Sequence, residues 1–416
     1  MTLRQTLLPL LLAGFLATPV ARAAKLSASS TDDVPATTAP GSSRDASPEP
    51  AAAPAPASAP QPVTDVAAPP PAHDRFETLG LMRVRDMTVF GISRLDMLPA
   101  HAVTASKGTW AFETTLSYQN TWALSDNVHR YLRLRGTERG EIGANDVAAI
   151  LALPGEAFLV DCKIGLLDLT LHYRASKHVG VYATIPYFAF GNGFLDSTIE
   201  GFHEGIGISN AGRNYAPRNR FLAIIDLKHQ QTVVDRAPKN EFGDPVFGFR
   251  YEVFPKPDKL NVVIEAAAKV VLDDSQRLVS TGHDDVGLQV SVQRFFRRNA
   301  LYLTVSGVYF SSPDDGFARD QWLPTFLLGW ETRASQHLNF IAQGYVSRST
   351  VQETDLDELS AEKIQATAGL QWLYMGNVLR FGITENIANF NNTPDIGVSL
   401  SLARILFREP PSSSAR

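Results

Sequence analysis

The stretch "VGLQVSVQR", Val286 to Arg294, alternates without a break. Val286, Leu288, Val290 and Val292 fall on one side of an extended chain, and Gln289, Ser291 and Gln293 on the other. A period of two belongs to a β-strand and no other regular element. The pattern recurs in "TWAFETTLSYQ", "VFGFRYEVF", "VIEAAAKVV", "FLLGWETR" and "IQATAGLQW". A sheet of such strands needs a different solvent on each face. Either a greasy core lies inside and water outside, or lipid lies outside and a wet interior within.

Three features select the second arrangement. The segments run to about ten residues, the length of a tilted membrane-crossing strand. Aromatic residues recur near segment ends (Trp110, Phe254, Phe295, Phe296, Tyr309, Trp330, Trp372, Tyr374), as interface girdles require. The polar face carries Gly, Ser, Thr and Gln with sparse charge, in keeping with a charged fraction of 19 %. Connections alternate between tight turns ("PKPDK", "RRN", "ASQH", "MGN") and long loops ("DDSQRLVSTGHDD", "SSPDDGFARDQWLP", "STVQETDLDELSAE"). Short periplasmic turns and long outer loops mark an up-and-down transmembrane barrel.

The expected fold is all-β, an antiparallel transmembrane barrel of twelve strands at 109–123, 157–174, 178–190, 244–254, 261–272, 284–296, 299–311, 325–334, 337–348, 362–374, 377–388 and 395–407. Fourteen results if both halves of Phe221–Asp235 span. That stretch is read instead as a hairpin outside the bilayer, because Asp226, Lys228 and His229 would foul a lipid face.

The first 23 residues read as a secretory signal, with Arg4, the apolar "TLLPLLLAGFLA" and the small-residue site "ARA". Residues 24–74 are rich in Pro, Ala and Ser and predict a disordered periplasmic linker. Residues 75–107 include "LMRVRDMTVFGISRLDMLPAHA", too apolar for a linker, and predict a lumen plug or a periplasmic cap. Residues 108–407 form the barrel and 408–416 a disordered tail. A net charge of −5 gives no basic footprint for nucleic acid. Cys162 is the sole cysteine, so no internal disulfide forms, and it reads as a small apolar strand residue.

The candidate functional residues are the charges on the polar faces: Arg250, Glu252, Glu265, Lys269, Glu331, Arg333 and Arg380. In a wet pore they line the path and set its selectivity; equally, they pair across strands and close the barrel. A second candidate is a short amphipathic helix in "FLDSTIEGFHEGIGISNAGR". Ser197 and Glu200 have capping-box spacing, and Ile199, Phe202, His203 and Ile206 share a face. It either constricts the pore mouth or lies on the rim. Outer-loop carboxylates, among them Asp273, Asp284, Asp285, Asp314, Asp355 and Glu358, face lipopolysaccharide and could share its cations; plain solvation is the other reading. No metal or cofactor site is expected: after His203–Glu204 the second zinc-ligand position is Gly207, and "GIGISNAG" lacks a βαβ setting. His172 and His283–Asp284–Asp285 are the candidates for an outer-membrane hydrolase, without a nucleophile at a defensible spacing.

The segments "FGISRLDMLPAHA", "GTWAFETTLSYQNTW", "GFLDSTIEGFHE", "GDPVFGFRY" and "ENIANFNNTPDIGVSL" resemble a Gram-negative outer-membrane β-barrel-like family of unknown function, domain of unknown function 3187, from about Leu79 to Phe407. The resemblance implies a barrel and assigns no chemistry. "GDPVFGFRY" is also similar to hairpins of outer-membrane barrels linked to uptake of aromatic compounds. One departure is that nine residues follow the aromatic Phe407, where many such proteins end for the barrel-assembly machinery. The expected function is a passive outer-membrane channel or facilitator for small solutes, hydrophobic ones among them. The rival readings are a plugged scaffolding barrel whose N-terminal arm binds a periplasmic partner, and a lipid hydrolase. Outer-membrane lipid and lipopolysaccharide are the expected surroundings.

Overall fold

The structure is a computed structural model. It describes residues 80–99 and 107–407, except 208, 228–229, 255–259, 273–278, 311–321, 352–353 and 390. The signal, linker and tail assigned from the sequence lie outside these residues, as do the turn lysines Lys256 and Lys259 and the loop acids Asp273, Asp274, Asp314, Asp315 and Glu353.

Fifteen strands form one antiparallel sheet. They are β1 (Trp110–Leu124), β2 (Ala157–Arg174), β3 (Val179–Gly191), β4 (Leu222–Leu227), β5 (Gln230–Val234), β6 (Glu241–Phe242), β7 (Val246–Glu252), β8 (Leu260–Lys269), β9 (Asp285–Phe296), β10 (Asn299–Phe310), β11 (Trp322–Arg333), β12 (Leu338–Ser347), β13 (Lys363–Tyr374), β14 (Asn377–Ala388) and β15 (Ile396–Phe407). Twelve of them close a ring: β1, β2, β3 and β7 to β15, with β15 pairing back onto β1 and β2 onto β3. Closure leaves the ring itself without an edge, which a strand-built membrane protein requires.

The solvent question is answered by burial. Along β9 Val286, Leu288 and Val290 are exposed, while Gln289, Ser291 and Gln293 are buried. The same inversion holds at Phe247 and Phe249 against Glu252, and at Leu328 and Trp330 against Glu331. An apolar exterior around a polar interior is the arrangement of a transmembrane barrel. Phe295 departs from its expected place in the outer girdle and packs against the inner cluster that contains Ala300 and Tyr302.

The remaining strands stand beyond the ring. The long-loop half of β2, Ala157 to Asp161, pairs with β4, and β4 pairs with β5, so the Phe221–Asp235 stretch is a hairpin off the barrel wall. Among the described residues three helices of eight residues or more stand at the long-loop end: α1 (Asp126–Arg135), α2 (Ala144–Leu151) and α3 (Asp196–Ile206). The first two were not read from the sequence, although Val128 and Leu132 have helical spacing and Gly136 ends α1 in the left-handed region at φ 68°. Val128, Leu132, Ile142, Ile150, Leu159 and Ile224 bind these helices to β2 and β4 in a small core. No helix among the described residues is long and apolar enough to cross a membrane.

Candidate functional site

The candidate site is the inside of the ring, where residues 80–98 bond to inner-face side chains. This segment has little regular structure: the Gly91 and Ile92 N–H groups bond the Thr88 carbonyl and the Arg94 N–H bonds the Gly91 carbonyl, while the two limbs on either side of that turn need partners from the wall. The inner face supplies them. The Gln343 side-chain amide receives the Met82 N–H at 2.9 Å and donates to the Met82 carbonyl at 2.8 Å. Glu331 accepts from the Gly80 N–H at 3.2 Å, and Gln371 donates to the Gly80 carbonyl at 2.5 Å. Gln119 donates to the Arg85 carbonyl, Lys269 to the Ser93 carbonyl and Gln289 to the Leu98 carbonyl, while Asp285 accepts from the Leu95 N–H.

These contacts fix the path. Gly80 lies near the short turns, beside Glu331 and Gln371. The chain rises to the long-loop end, where Asp86 meets Lys363, and turns through Met87–Ile92. It then descends along β9 past Asp285 and Gln289. Apolar side chains dock the two limbs: Leu81, Met82 and Val84 against Tyr302, Ile341 and Tyr345, and Leu95 and Met97 against Tyr182, Val308 and Phe310. At the top, Met87, Val89, Phe90 and Ile92 join Phe158, Val160, Ile164, Phe188, Phe221 and Ile225 in an apolar cluster that fills the long-loop mouth. A void of about 40 Å³ remains between the segment and β9–β12, lined by Asp86, Asp96, Gln289 and Thr304 among others.

Of the seven predicted pore charges, six are bound inside. Arg250 Nε donates to Glu265 at 2.5 Å and its guanidinium lies 4.7 Å from the Tyr182 ring centre, whose hydroxyl donates to the same carboxylate at 2.6 Å. Glu252 accepts two bonds from Arg174, at 2.5 and 2.8 Å, close to the short turns. Lys269 meets Asp285 at 3.1 Å and Thr281 at 2.8 Å. Glu331 accepts from Tyr302 and, at 2.6 Å, from Asn339. Arg380 donates to Glu113 at 2.9 Å. Arg333, the seventh, ends its strand and bonds the Ser335 carbonyl in the β11–β12 turn. Groups absent from the sequence-based list hold the segment most directly: Arg83 pairs with Asp96 and Asp168, Arg85 lies 3.5 Å from Asp168, and Arg94 3.5 Å from Asp285. Asp285 is therefore a lumen residue, fully buried, and not an outer-loop carboxylate.

The predicted helix exists as α3, but its capping box does not form. The cap position is Leu195, Ser197 is exposed within the first turn, and Glu200 turns instead to Arg139 and Arg218. Burial pushes the Glu200 carboxyl up, but the hydrogen bonds from both arginines outweigh it and hold the group below its usual range. Asp196 is likewise held low: burial opposes, and Lys163, the Asn219 N–H, Asn120 and Arg213 prevail. Ile199 is buried, Phe202 and His203 are half-buried, and the side chain of Ile206 lies outside the described residues. α3 is thus anchored to Arg139 and Arg218 in the long-loop region and to Asn120 and Lys163 on β1 and β2, while the segment bonded to the inner wall is the pre-barrel one.

Among the described residues the hydrolase candidate His172 meets a carboxylate and not a nucleophile. His172 Nε2 lies 3.5 Å from Glu113, and Ser401 donates to that same carboxylate at 3.1 Å. The carboxylate stands between serine and histidine, whereas activation of a hydroxyl needs the histidine there. No group of His, Cys, Asp and Glu among the described residues could hold a metal ion.

Solved structures similar to this chain include an outer membrane channel from Pseudomonas putida F1 (TM-score 0.44, 10 % identity, 75 % of this chain and 100 % of that one). They also include the toluene transporters TodX of P. putida (TM-score 0.36, 10 % identity, 73 % and 92 %) and TbuX of Ralstonia pickettii (TM-score 0.33, 10 % identity, 73 % and 90 %). The functions in those names belong to those proteins. No curated protein matches the chain. The family described as a protein of unknown function (DUF3187) matches residues 140–404, well over half the chain, from ahead of β2 into β15, and the chain belongs to that family.

Proposed function

We propose that the protein is an outer-membrane facilitator for small, largely apolar solutes, held closed here by residues 80–98. One observation carries this reading: the turn at the long-loop mouth sits in an apolar cluster around Phe90, whereas the backbone of the two limbs below it is held by polar side chains of the wall. An apolar solute can replace Phe90 among Phe158, Phe188 and Phe221 and loosen the seal. A sugar would leave its hydroxyls unpaired there, at a cost of about 1–3 kcal/mol each. The paired lumen charges then serve to hold the segment and the wall, and the net balance of signs gives little ion selectivity.

The test is planar-bilayer conductance and liposome uptake of the purified barrel. The reading expects a wild-type channel closed for most of the time, with uptake of a monoaromatic probe exceeding that of a sugar of equal size. A wide, persistently open pore that admits both alike would overturn it. The filled lumen also favours the scaffolding reading. Deletion of residues 25–74 separates the two, because a facilitator keeps its uptake without the arm and a scaffold loses its periplasmic partner.

A further inference from the structure

The outer wall of the barrel carries a groove of about 810 Å³, far larger than the void within. It follows a single row of paired residues. Trp110 stands opposite Tyr173, and Tyr173 opposite Val181. The row continues from Val181 to Phe249, Ala266, Leu288 and Gly307, each directly beside the last. Six steps of about 4.8 Å make it roughly 29 Å long. Because barrel strands tilt, such a row climbs as it crosses them. It starts at Trp110, the first residue of β1 on the short-turn side, and ends under Trp322, where β11 enters from a long loop.

The groove exists because the outward residues along its middle are small. Ala183, Ala266, Ala268 and Gly307 form the floor, and Phe247, Leu288 and Trp322 stand as walls. On the lumen side Gly248 and Gly287 carry no Cβ, and the Tyr182 ring and Met97 fill the space a Cβ would take, so the wall sits tight on its contents.

We propose that this groove holds one acyl chain of a phospholipid from the periplasmic leaflet, with its phosphate at Lys107 and Lys177. The face is lipid-exposed, so hydrocarbon is what meets it. A volume within the roughly 300–1,000 Å³ of ligand sites, drawn out along one row, suits a single chain. A second copy does not fit: a two-fold contact would set concave wall against concave wall. Charge fixes the end. Trp110 and Tyr173 pack with ring centres 4.5 Å apart at the short-turn rim, the place of interfacial aromatics. Lys107 lies three residues ahead of Trp110, and Lys177 sits in the β2–β3 turn with its carbonyl held by Arg174 at 2.6 Å. Both lysine side chains are exposed, and no carboxylate among the described residues pairs with either.

The experiment is native mass spectrometry of the full chain released from nanodiscs containing phosphatidylglycerol and lipopolysaccharide. Wild type should retain one phospholipid. Ala266→Phe fills the floor from outside and should lower retention by about tenfold or more, with the heat-modifiable gel shift of a folded barrel preserved. Lys177→Glu should weaken phosphatidylglycerol selectively. Equal retention in Ala266→Phe overturns the site, as does retained lipopolysaccharide in place of phospholipid. In wild type, a phosphatidylglycerol with a photoactivatable acyl chain should label residues 247–249, 266–268 and 286–288. Labelling spread evenly round the barrel overturns the proposal whether or not the variants fold.

Discussion

Phe90→Ala tests the closing of the lumen most directly. Phe90 is 5 % exposed and meets Phe158 edge-on, with ring centres 6.2 Å apart. Its ring belongs to the cluster that fills the long-loop mouth, so any open state must take it out. Truncating a buried phenylalanine to alanine removes about 3–5 kcal/mol of packing. If opening extracts the ring, that loss falls on the closed state alone. At 1.4 kcal/mol per factor of ten, the lower figure already shifts the closed-to-open ratio by about two orders of magnitude. The assay is single-channel open probability, with the heat-modifiable gel shift as the check on folding. Phe158→Ala removes the wall side of the same contact and should act alike, and the double variant should fall short of the sum because the two rings share one interaction. A folded Phe90→Ala barrel with the wild-type trace would refute the idea that this cluster is the seal.

Other perturbations address the remaining contacts. Lys269→Ala leaves Asp285 buried with Arg94 at 3.5 Å as its remaining cation and frees the Ser93 carbonyl; losing one partner of a buried pair costs about 3–5 kcal/mol, so the thermal midpoint of the gel shift should fall and openings should become more frequent. Gly369→Ala places a Cβ 2.5 Å from Met82 Sδ and 2.6 Å from the Phe381 carbonyl oxygen. The sulfur can move and the strand carbonyl cannot, so a loss of about 1–3 kcal/mol is expected in the same melt. The helix α3 should respond to acid. Glu200 and Asp196 are held below their usual ranges, so each stabilises the fold above its unfolded pKa of roughly 4, and that contribution disappears as pH falls through the lower folded value. Amide-exchange protection of α3 should therefore be flat from pH 7 to 5 and fall near pH 3, with Glu200→Gln already weakened at pH 7. Protection that declines between pH 7 and 5 would contradict the assignment.

The strands were legible because their alternation is enforced by two different solvents. The paired ends of β9, β10, β13 and β14 lie within a residue or two of the expected bounds. The off-barrel hairpin was legible for the same reason, since the charge of Asp226 excluded it from lipid. The helices α1 and α2 were not, because they are short and draw their stability from Leu159 and Ile224 on distant strands. The capping box at Ser197 misled because spacing reports a local option, while Glu200 found two arginines farther along or back in the chain. Arg333 misled through phase alone: it has the parity of Glu331, but its strand ends there and the side chain leaves the lumen.

The deeper ambiguity concerns the glutamines. Gln119, Gln289, Gln343 and Gln371 alternate with apolar residues as the lining of a water-filled pore would, and from the sequence that is the natural reading. An amide that satisfies water also satisfies a peptide group, because its NH2 donates and its carbonyl accepts, as the backbone N–H and C=O do. In this barrel the four amides face chain, not solvent, and Gln343 pairs with both polar groups of Met82 as a neighbouring strand would. Glutamine also offers what a lumen charge cannot, a partner for irregular backbone without a counter-ion. The polar face of a barrel strand therefore states that polar groups must be met inside. What meets them is decided elsewhere in the chain, here by a segment that carries Leu81, Met82 and Phe90 for the apolar parts of the wall and Arg83, Arg85 and Arg94 for its carboxylates.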